Sequence, residues 1–387
     1  MVFFTELQNH SEVKLSILEK YTIPWMRKII LNKYGPKKCL LIDGFAGKGK
    51  YDNGKKGSPV IMIEAAVDFY NQAVKSKWDK PEILIYLNEW DIANHQTLIS
   101  NIENLGFETM DNKLFSSTNY KSISIVVENK TFEDFLTDIL KQRKDGYSLI
   151  PSFCFVDPFG FSSTPFRLFK NYLENQNSEL LINFIYEHTN RFIRHPNEKI
   201  KNQISDHMGL VSLDELSEKV ADLGSLERKQ LIIETYTNNI LNETDAVHVR
   251  HFDIKKNGKT KMILFYVTKN INGLKLMKET MWKHDETGLY VYNEKKKMVQ
   301  LDFDTILSQD KQLHIELLSI AIYKNYSGIK RISYEEIEEF TLVETIYPVA
   351  NFVKPALKIL EEKGVVNNFK GRNKAKSYPP KTTMDFS

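Results

Sequence analysis

The segment Leu40-Leu41-Ile42-Asp43-Gly44-Phe45-Ala46-Gly47-Lys48-Gly49 reads as a buried strand that ends on a carboxylate and opens into a glycine-rich turn. Gly47 and Gly49 tolerate positive φ and let the backbone come close to a ligand. A turn of this kind at the carboxyl edge of a parallel sheet holds nucleotide-like groups. A glycine pair alone says little. Here it follows its own strand, carries an aromatic at Phe45, and is matched by a second constellation, Phe155-Val156-Asp157-Pro158-Phe159-Gly160-Phe161.

Outward from the turn, short apolar runs recur at 39–43, 83–88, 123–128, 152–157 and 180–186, with helical patterns between most of them. That alternation predicts a parallel sheet covered on both faces. Upstream, Leu15, Leu18, Tyr21 and Trp25 predict an amphipathic helix that breaks near Pro24. Downstream of a helical stretch at about 210–242, two β-prone runs, 246–254 and 261–268, flank Lys256-Asn257-Gly258-Lys259, a strong hairpin signal. The stretch 283–297 is poor in apolar residues and reads as a connection. Beyond it, 313–323 and 334–340 read as short helices and 349–363 as a longer one stopped at Gly364. The segment 365–378 reads as a small hairpin whose turn carries Lys370, Gly371, Arg372, Lys374 and Lys376, with Pro379-Pro380 and the following residues as a tail. Three helices and a basic β-wing predict a winged helix. The expected boundaries are 1–285 for the α/β domain with its helical extension, 286–310 for the connection and 311–387 for the winged-helix domain.

With 387 residues, two or three domains are expected, and 42% hydrophobic content supplies a large core. A net charge of +3 confines any basic binding surface to local patches. Cys39 and Cys154 lie in apolar strand-like runs and read as core residues rather than a disulfide or zinc framework. No apolar run reaches membrane-spanning length, and the start of the chain, with Glu6, Glu12 and Glu19, lacks a signal-peptide core. The expectation is a soluble cytoplasmic protein with no membrane role. The nine histidines show no metal-binding spacing, and neither a phosphate-binding P-loop nor a nucleophile-elbow serine is present.

Three further positions complete the candidate site. Glu89 ends the second strand, where an acidic residue accepts ribose hydroxyls; its distance from Gly49 implies an insertion around 51–59. Asn129 follows the third strand and contacts a bound base, unless Asn129 or the nearby Thr131 simply caps the next helix. Glu187-His188-Thr189-Asn190-Arg191-Phe192-Ile193-Arg194-His195 reads as a loop whose Arg191 and Arg194 either grip phosphate or stay solvated.

Five parallel strands followed by a terminal hairpin resemble the seven-stranded, Rossmann-like sheet of class I methyltransferases, whose last strand runs antiparallel. The turn D-G-F-A-G-K-G resembles the cofactor turn of DNA amino-methyltransferases. The resemblance implies S-adenosylmethionine as cofactor, with Asp43 pairing its ammonium group and Gly44, Phe45, Ala46, Gly47 and Gly49 packing against it. Asp157-Pro158-Phe159-Gly160 resembles the D-P-P-Y motif of enzymes that methylate exocyclic amines, with Phe and Gly at the third and fourth positions. D-P-F-G itself occurs in tRNA guanine-N2 dimethyltransferases. An aryl amine is a poor nucleophile because its lone pair is delocalised into the ring. Asp157 and the Pro158 carbonyl would hold its N–H bonds, and Phe159 or Phe161 would stack on the base, a contact worth about 1–3 kcal/mol.

Taken in order, His10-Ser11, Lys14, the 42–47 turn, Gly57-Ser58-Pro59, Asn88-Glu89, Asp157-Pro158-Phe159-Gly160, 265–268, Gly273, Leu274, Met277 and Met281-Trp282 resemble the three-Cys-motif partner family, TcmP. That resemblance implies a bacterial or archaeal protein encoded beside a three-Cys-motif protein, in a mobile-element or antiviral-defence setting. The expected function is a methyltransferase acting on a nucleic-acid base amine, with Lys370, Arg372 and Lys374 of the wing contacting nucleic acid. The alternatives are a non-catalytic scaffold that binds nucleic acid or the partner and, ranked last, a nuclease component of a defence system.

Overall fold

A computed structural model describes residues 9–78, 81–111, 113–142, 149–256, 258–285, 291–293 and 303–387. Asn257 of the hairpin turn, the side chains of His10 and Ser11, and 286–290 and 294–302 of the expected connection lie outside the described residues. The chain forms two compact units, Met1–Asn270 and Ile271–Ser387.

The first unit begins with α1 (Asn9–Ile30), β1 (Lys38–Asp43), α2 (Ser58–Lys75), β2 (Glu82–Asn88), α3 (Ile92–Glu103), β3 (Glu108–Thr109), β4 (Leu114–Ser116), β5 (Ile123–Glu128) and α4 (Phe132–Lys141). It continues with β6 (Ser152–Val156), α5 (Phe166–Leu173), β7 (Ser178–Phe184), α6 (Tyr186–Phe192), α7 (Glu198–Met208), α8 (Asp214–Lys219), α9 (Ser225–Glu243), β8 (His248–Lys256) and β9 (Lys259–Thr268). Nine of its strands lie in the order β8-β9-β7-β6-β1-β2-β5-β4-β3. The strands β5, β2, β1, β6 and β7 run parallel, and β9 is antiparallel to both β7 and β8. The central strands β6 and β7 are buried at every position, as a sheet covered on both faces requires, whereas β5 alternates buried with half-buried residues.

Seven strands are expected from the sequence; β3 and β4 add two antiparallel strands beyond β5. They are two and three residues long, too short to show a period-2 pattern. The segment 187–195, expected as a loop, begins inside the helix α6 instead, anchored by the buried Tyr186 and Thr189. Nor does α1 break at Pro24; it continues to Ile30. Pro24 forfeits one backbone hydrogen bond, but Leu18, Tyr21, Trp25, Met26 and Ile30 on either side of it are buried, and that packing holds the helix together.

Side chains alternate along each strand, so Leu40, Ile42, Cys154, Val156, Leu180 and Ile182 join the core beneath α4, α5, α7 and α9. The opposite face of the same strands carries Asp43, Phe153, Phe155, Glu179 and Asn183, and α1 lies on it. Tyr21 and Trp25 pack on Phe153 at ring distances of 5.1 and 5.9 Å. The Tyr21 and Tyr266 hydroxyls both donate to the buried Glu179 carboxylate.

The second unit contains α10 (Ile271–Trp282), β10 (Val291–Asn293), α11 (Phe303–Tyr326), β11 (Ile332–Ser333), α12 (Tyr334–Glu344), α13 (Val353–Glu362), β12 (Val366–Lys370) and β13 (Thr383–Phe386). The strands β11, β13 and β12 form a small antiparallel sheet in that order. The residues after Pro380, expected as a tail, supply its central strand, so the partner of β12 is β13 and not the segment before Tyr378. The Lys278 ammonium is buried and donates to the carbonyls of Thr341, Leu342 and Thr345, at the end of α12.

Burial pushes the Glu179 carboxyl up from 4.5 to about 6, against the hydrogen bonds from Tyr21, Tyr266 and Thr268. A carboxyl whose folded-state pKa exceeds its unfolded value stabilises the fold below the unfolded value and loses that contribution as pH rises through the folded one. Replacing Glu179 by Gln should therefore remove a loss of about 2 kcal/mol between pH 4.5 and 7. Urea unfolding of wild type and Glu179→Gln across this range measures it, and parallel pH profiles would refute it.

Candidate active site at the carboxyl edge of the sheet

Three carboxylates leave the sheet at neighbouring strand ends. Asp43 closes β1, Glu89 follows β2 and Asp157 follows β6, with Asp43 in register with Leu87 and Phe155. Asp43 is fully buried, and its Oδ1 accepts the Phe45 N–H at 3.1 Å. Burial pushes its carboxyl up to about 7; the Ser58 side chain and the Phe45 N–H oppose the shift, while the charges of Asp157 and Glu89 add to it. Tyr51 feels the same neighbours: burial raises its pKa, and Asp157 and Asp43 raise it further.

The glycine turn is tied to β2 by backbone and side-chain bonds. Ala46 N–H donates to the Asn88 carbonyl at 2.8 Å, and Gly47 N–H donates to Glu89 Oε2 at 2.8 Å. The other Glu89 oxygen accepts the Asp91 N–H at 2.8 Å. Burial raises the Glu89 pKa, and the two backbone N–H groups partly offset this. Gly47 and Gly49 adopt φ of 60° and 87°, the left-handed region that favours glycine. A Cβ on Gly44 would stand 2.4 Å from the Phe132 ring, which also stacks on Phe45 at 4.9 Å. The expected insertion is a small loop closed by the Lys50–Lys56 bridge and by the Gly57 N–H donating to the Gly49 carbonyl at 2.8 Å.

A cavity of about 960 Å³ opens at this edge. Of the residues expected from sequence, Gly44, Phe45, Glu89 and Phe159 line it; Lys48, Trp90, Asn94, Thr131 and Phe132 are lining residues that the sequence reading missed. Trp90 and Phe159 are 72% and 60% exposed, which is unusual for large aromatics. Asp43, Ala46, Gly47, Gly49, Asn129, Asp157 and Pro158 are not in the cavity wall.

Asn129 braces the exit of β2, its Nδ2 donating to the carbonyls of Glu89 and Trp90 at 2.7 and 2.8 Å. Thr131, not Asn129, caps α4, through a hydrogen bond from the Asp134 N–H. Asp157 is held by Lys14 of α1 and by Asn183 of β7. Lys14 follows from the pattern of α1: it shares the 14, 18, 21, 25 stripe with Leu18, Tyr21 and Trp25, and a lone cation on a buried helical face needs an anion opposite. Arg191 and Arg194 are exposed, and Arg191 stands 3.9 Å from Glu187, which is also paired with Lys261. In the second unit Lys370 and Lys374 are exposed. Arg372 is committed elsewhere: it forms a two-point ion pair with Glu361 at 2.8 Å and lies 3.5 Å over the Phe369 ring. Among the described residues no helix is long and apolar enough to cross a membrane.

No protein-family model and no curated protein matches the chain. Three solved structures show weak similarity. An O-methyltransferase from Bacillus cereus in complex with SAH has 12% identity over 68% of this chain and 83% of that one, with a TM-score of 0.33. Trm1 from Pyrococcus horikoshii with S-adenosyl-L-methionine has 10% identity over 70% and 58%, with a TM-score of 0.31. The N-terminal domain of human METTL16 in complex with SAH has 11% identity over 65% and 70%, with a TM-score of 0.28. The fold class rests instead on strand order and direction. Four strands parallel to β1 flank it, two on each side, and the last strand, β9, is inserted antiparallel between β7 and β8. The first unit is thus an α/β domain whose large mixed sheet resembles that of class I methyltransferases.

Glu89→Ala should leave the buried Gly47 N–H without an acceptor and lower stability by about 2 kcal/mol. Glu89→Gln, which keeps one carbonyl oxygen, should lose less. Urea midpoints of the two variants check this; an alanine variant as stable as wild type would contradict the bracing role.

Proposed function

We propose that the protein is an S-adenosylmethionine-dependent methyltransferase that modifies a nucleic-acid base amine. The observation that carries this reading is the cavity beside the glycine turn, at the point where strand order runs outward in both directions from β1. Its residues fit the cofactor's parts. Glu89 offers a carboxylate for ribose hydroxyls, and Trp90, Phe132 and Phe45 offer apolar faces for a purine. Asp43 shapes the turn from behind, through the Phe45 N–H. When bound, the cofactor supplies an electrophilic methyl group on a sulfonium.

In the proposed reaction the substrate amine donates N–H bonds to Asp157 and to the Pro158 carbonyl, which aims its lone pair outward. The methyl group would pass to the amine nitrogen from the bound cofactor, and Asp157 would be a nearby acceptor for the proton that the methylated amine gives up. Phe159, exposed at the cavity rim, stacks on the base. Preorganised acceptors facing the developing ammonium supply the catalytic stabilisation.

The second unit supports a nucleic-acid substrate. Its order of helix, short strand, two helices and two antiparallel strands is that of a winged helix, which we propose it to be. Lys330, Arg331 and Lys370 line a groove on its sheet beside Phe369, and these cations, with Lys374, would meet phosphates. The motif order that resembles three-Cys-motif partners adds a companion three-Cys-motif protein, in a mobile-element or defence setting, to the proposal; the support for it is that resemblance.

Transfer of a labelled methyl group from S-adenosylmethionine to DNA and to tRNA tests the reading. Wild type should label one of the two. Asp157→Ala should keep its affinity for S-adenosylmethionine in calorimetry but lose labelling by about a hundredfold or more. An alanine variant that labels at the wild-type rate would remove Asp157 from the chemistry.

A further inference from the structure

Asp157, on which amine chemistry depends, is already gripped from two sides. Lys14 Nζ donates to Oδ1 at 2.7 Å and to Oδ2 at 2.5 Å, and Asn183 Nδ2 donates to Oδ1 at 2.6 Å. An ionised carboxylate offers about four acceptor positions, two on each oxygen. Both positions on Oδ1 are therefore filled, and one remains on Oδ2. We propose that Lys14 and Asn183 are positioning residues of the methyl-acceptor site, clamping Asp157 so that a single lone pair of Oδ2 is left for an N–H of the substrate. The proposal rests on the methyltransferase reading and makes α1 part of the active site.

Stability alone does not account for the Lys14 pair. A buried ion pair replaced by apolar residues of similar volume often leaves a protein equally or more stable. α1 is already fastened to the sheet by Tyr21 on Glu179 and by Trp25 on Phe153. Lys14 itself is only 6% exposed, and an ammonium held there carries a desolvation cost. What the pair adds is orientation. An unsupported carboxylate at a strand end turns freely about its last torsion, whereas a two-point contact from Lys14 and a third bond from Asn183 fix its plane. The charge balance points the same way: Asp157 stands near Asp43 and Tyr51, both of which register its negative charge, and Lys14 is the cation paired with it. Asn183 commits its amide donor to Asp157 while its Oδ1 is buried without a partner among the described residues, an uncommon arrangement in a core.

The test compares wild type, Lys14→Met, Lys14→Arg and Asn183→Leu as full chains. Four quantities are read: S-adenosylmethionine affinity by calorimetry, the unfolding midpoint, the single-turnover methyl-transfer rate at saturating cofactor and nucleic acid, and KM for the nucleic acid. Lys14→Met should keep the affinity and the fold while its transfer rate falls by about tenfold to a hundredfold. KM for the nucleic acid should stay unchanged, and Lys14→Arg should recover most of the rate. A Lys14→Met rate equal to wild type, or one that falls only in step with cofactor affinity or folded fraction, would overturn the proposal. Wild type that labels neither DNA nor tRNA would instead refute the methyltransferase reading. Acetic anhydride labelling then reads the clamp by itself: Lys14 should react more slowly than the exposed Lys354 and speed up in Asp157→Asn, and equal reactivity throughout would show that no clamp exists in solution.

Discussion

Parallel strands end at one edge, and in this sheet three of the central ends carry carboxylates: Asp43 on β1, Glu89 after β2 and Asp157 after β6. Bringing like charges together in a partly dry place is unfavourable unless each finds a partner. Each is met differently. Asp43 takes up the Phe45 N–H and is pushed to a pKa of about 7, so that it is partly protonated at neutral pH. Glu89 accepts the N–H groups of Gly47 and Asp91. Asp157 meets the ammonium of Lys14. The turn, the exit of β2 and the position of α1 are thereby fixed by the same requirement, and a large cavity opens beside the turn and the exit of β2.

This arrangement separates two tasks by sheet face. The face covered by α1 carries Asp157 with its partners Lys14 and Asn183, and the cavity lies between the turn, the exit of β2 and the start of α4; in the proposed function the first would hold the acceptor amine and the second the cofactor. Phe159, two residues beyond Asp157 and exposed at the cavity rim, connects them. The proposed amine methylation would use both, with an electrophilic methyl group on one side of the nitrogen and acceptors for its hydrogens on the other.

Much of this was legible in the sequence, because the parallel core is written in unbroken apolar runs. The five parallel strands and the terminal hairpin follow from 39–43, 83–88, 123–128, 152–157, 180–186 and the Asn-Gly turn. What escaped has physical reasons. β3 and β4 are too short to show a period, β13 lies beyond a Pro-Pro pair that argues for a tail, and α1 keeps its course through Pro24 because the residues around it are buried. Within the site, glycines and strand-end carboxylates announced themselves through spacing. The cavity's Trp90, Thr131 and Phe132 did not, since their role depends on which strand ends become neighbours. The ion pair of Arg372 with Glu361 was not legible either, because it joins residues that the sequence gives no reason to pair.

The most direct test of the account is amide hydrogen exchange of the full chain with and without S-adenosylmethionine. The account predicts slower exchange on cofactor addition in 44–49, 88–91 and 129–133, with no change in the small sheet formed by β11, β12 and β13. Unchanged exchange in the first three segments, or protection confined to the second unit, would contradict the assignment of the cavity at the carboxyl edge as the cofactor site.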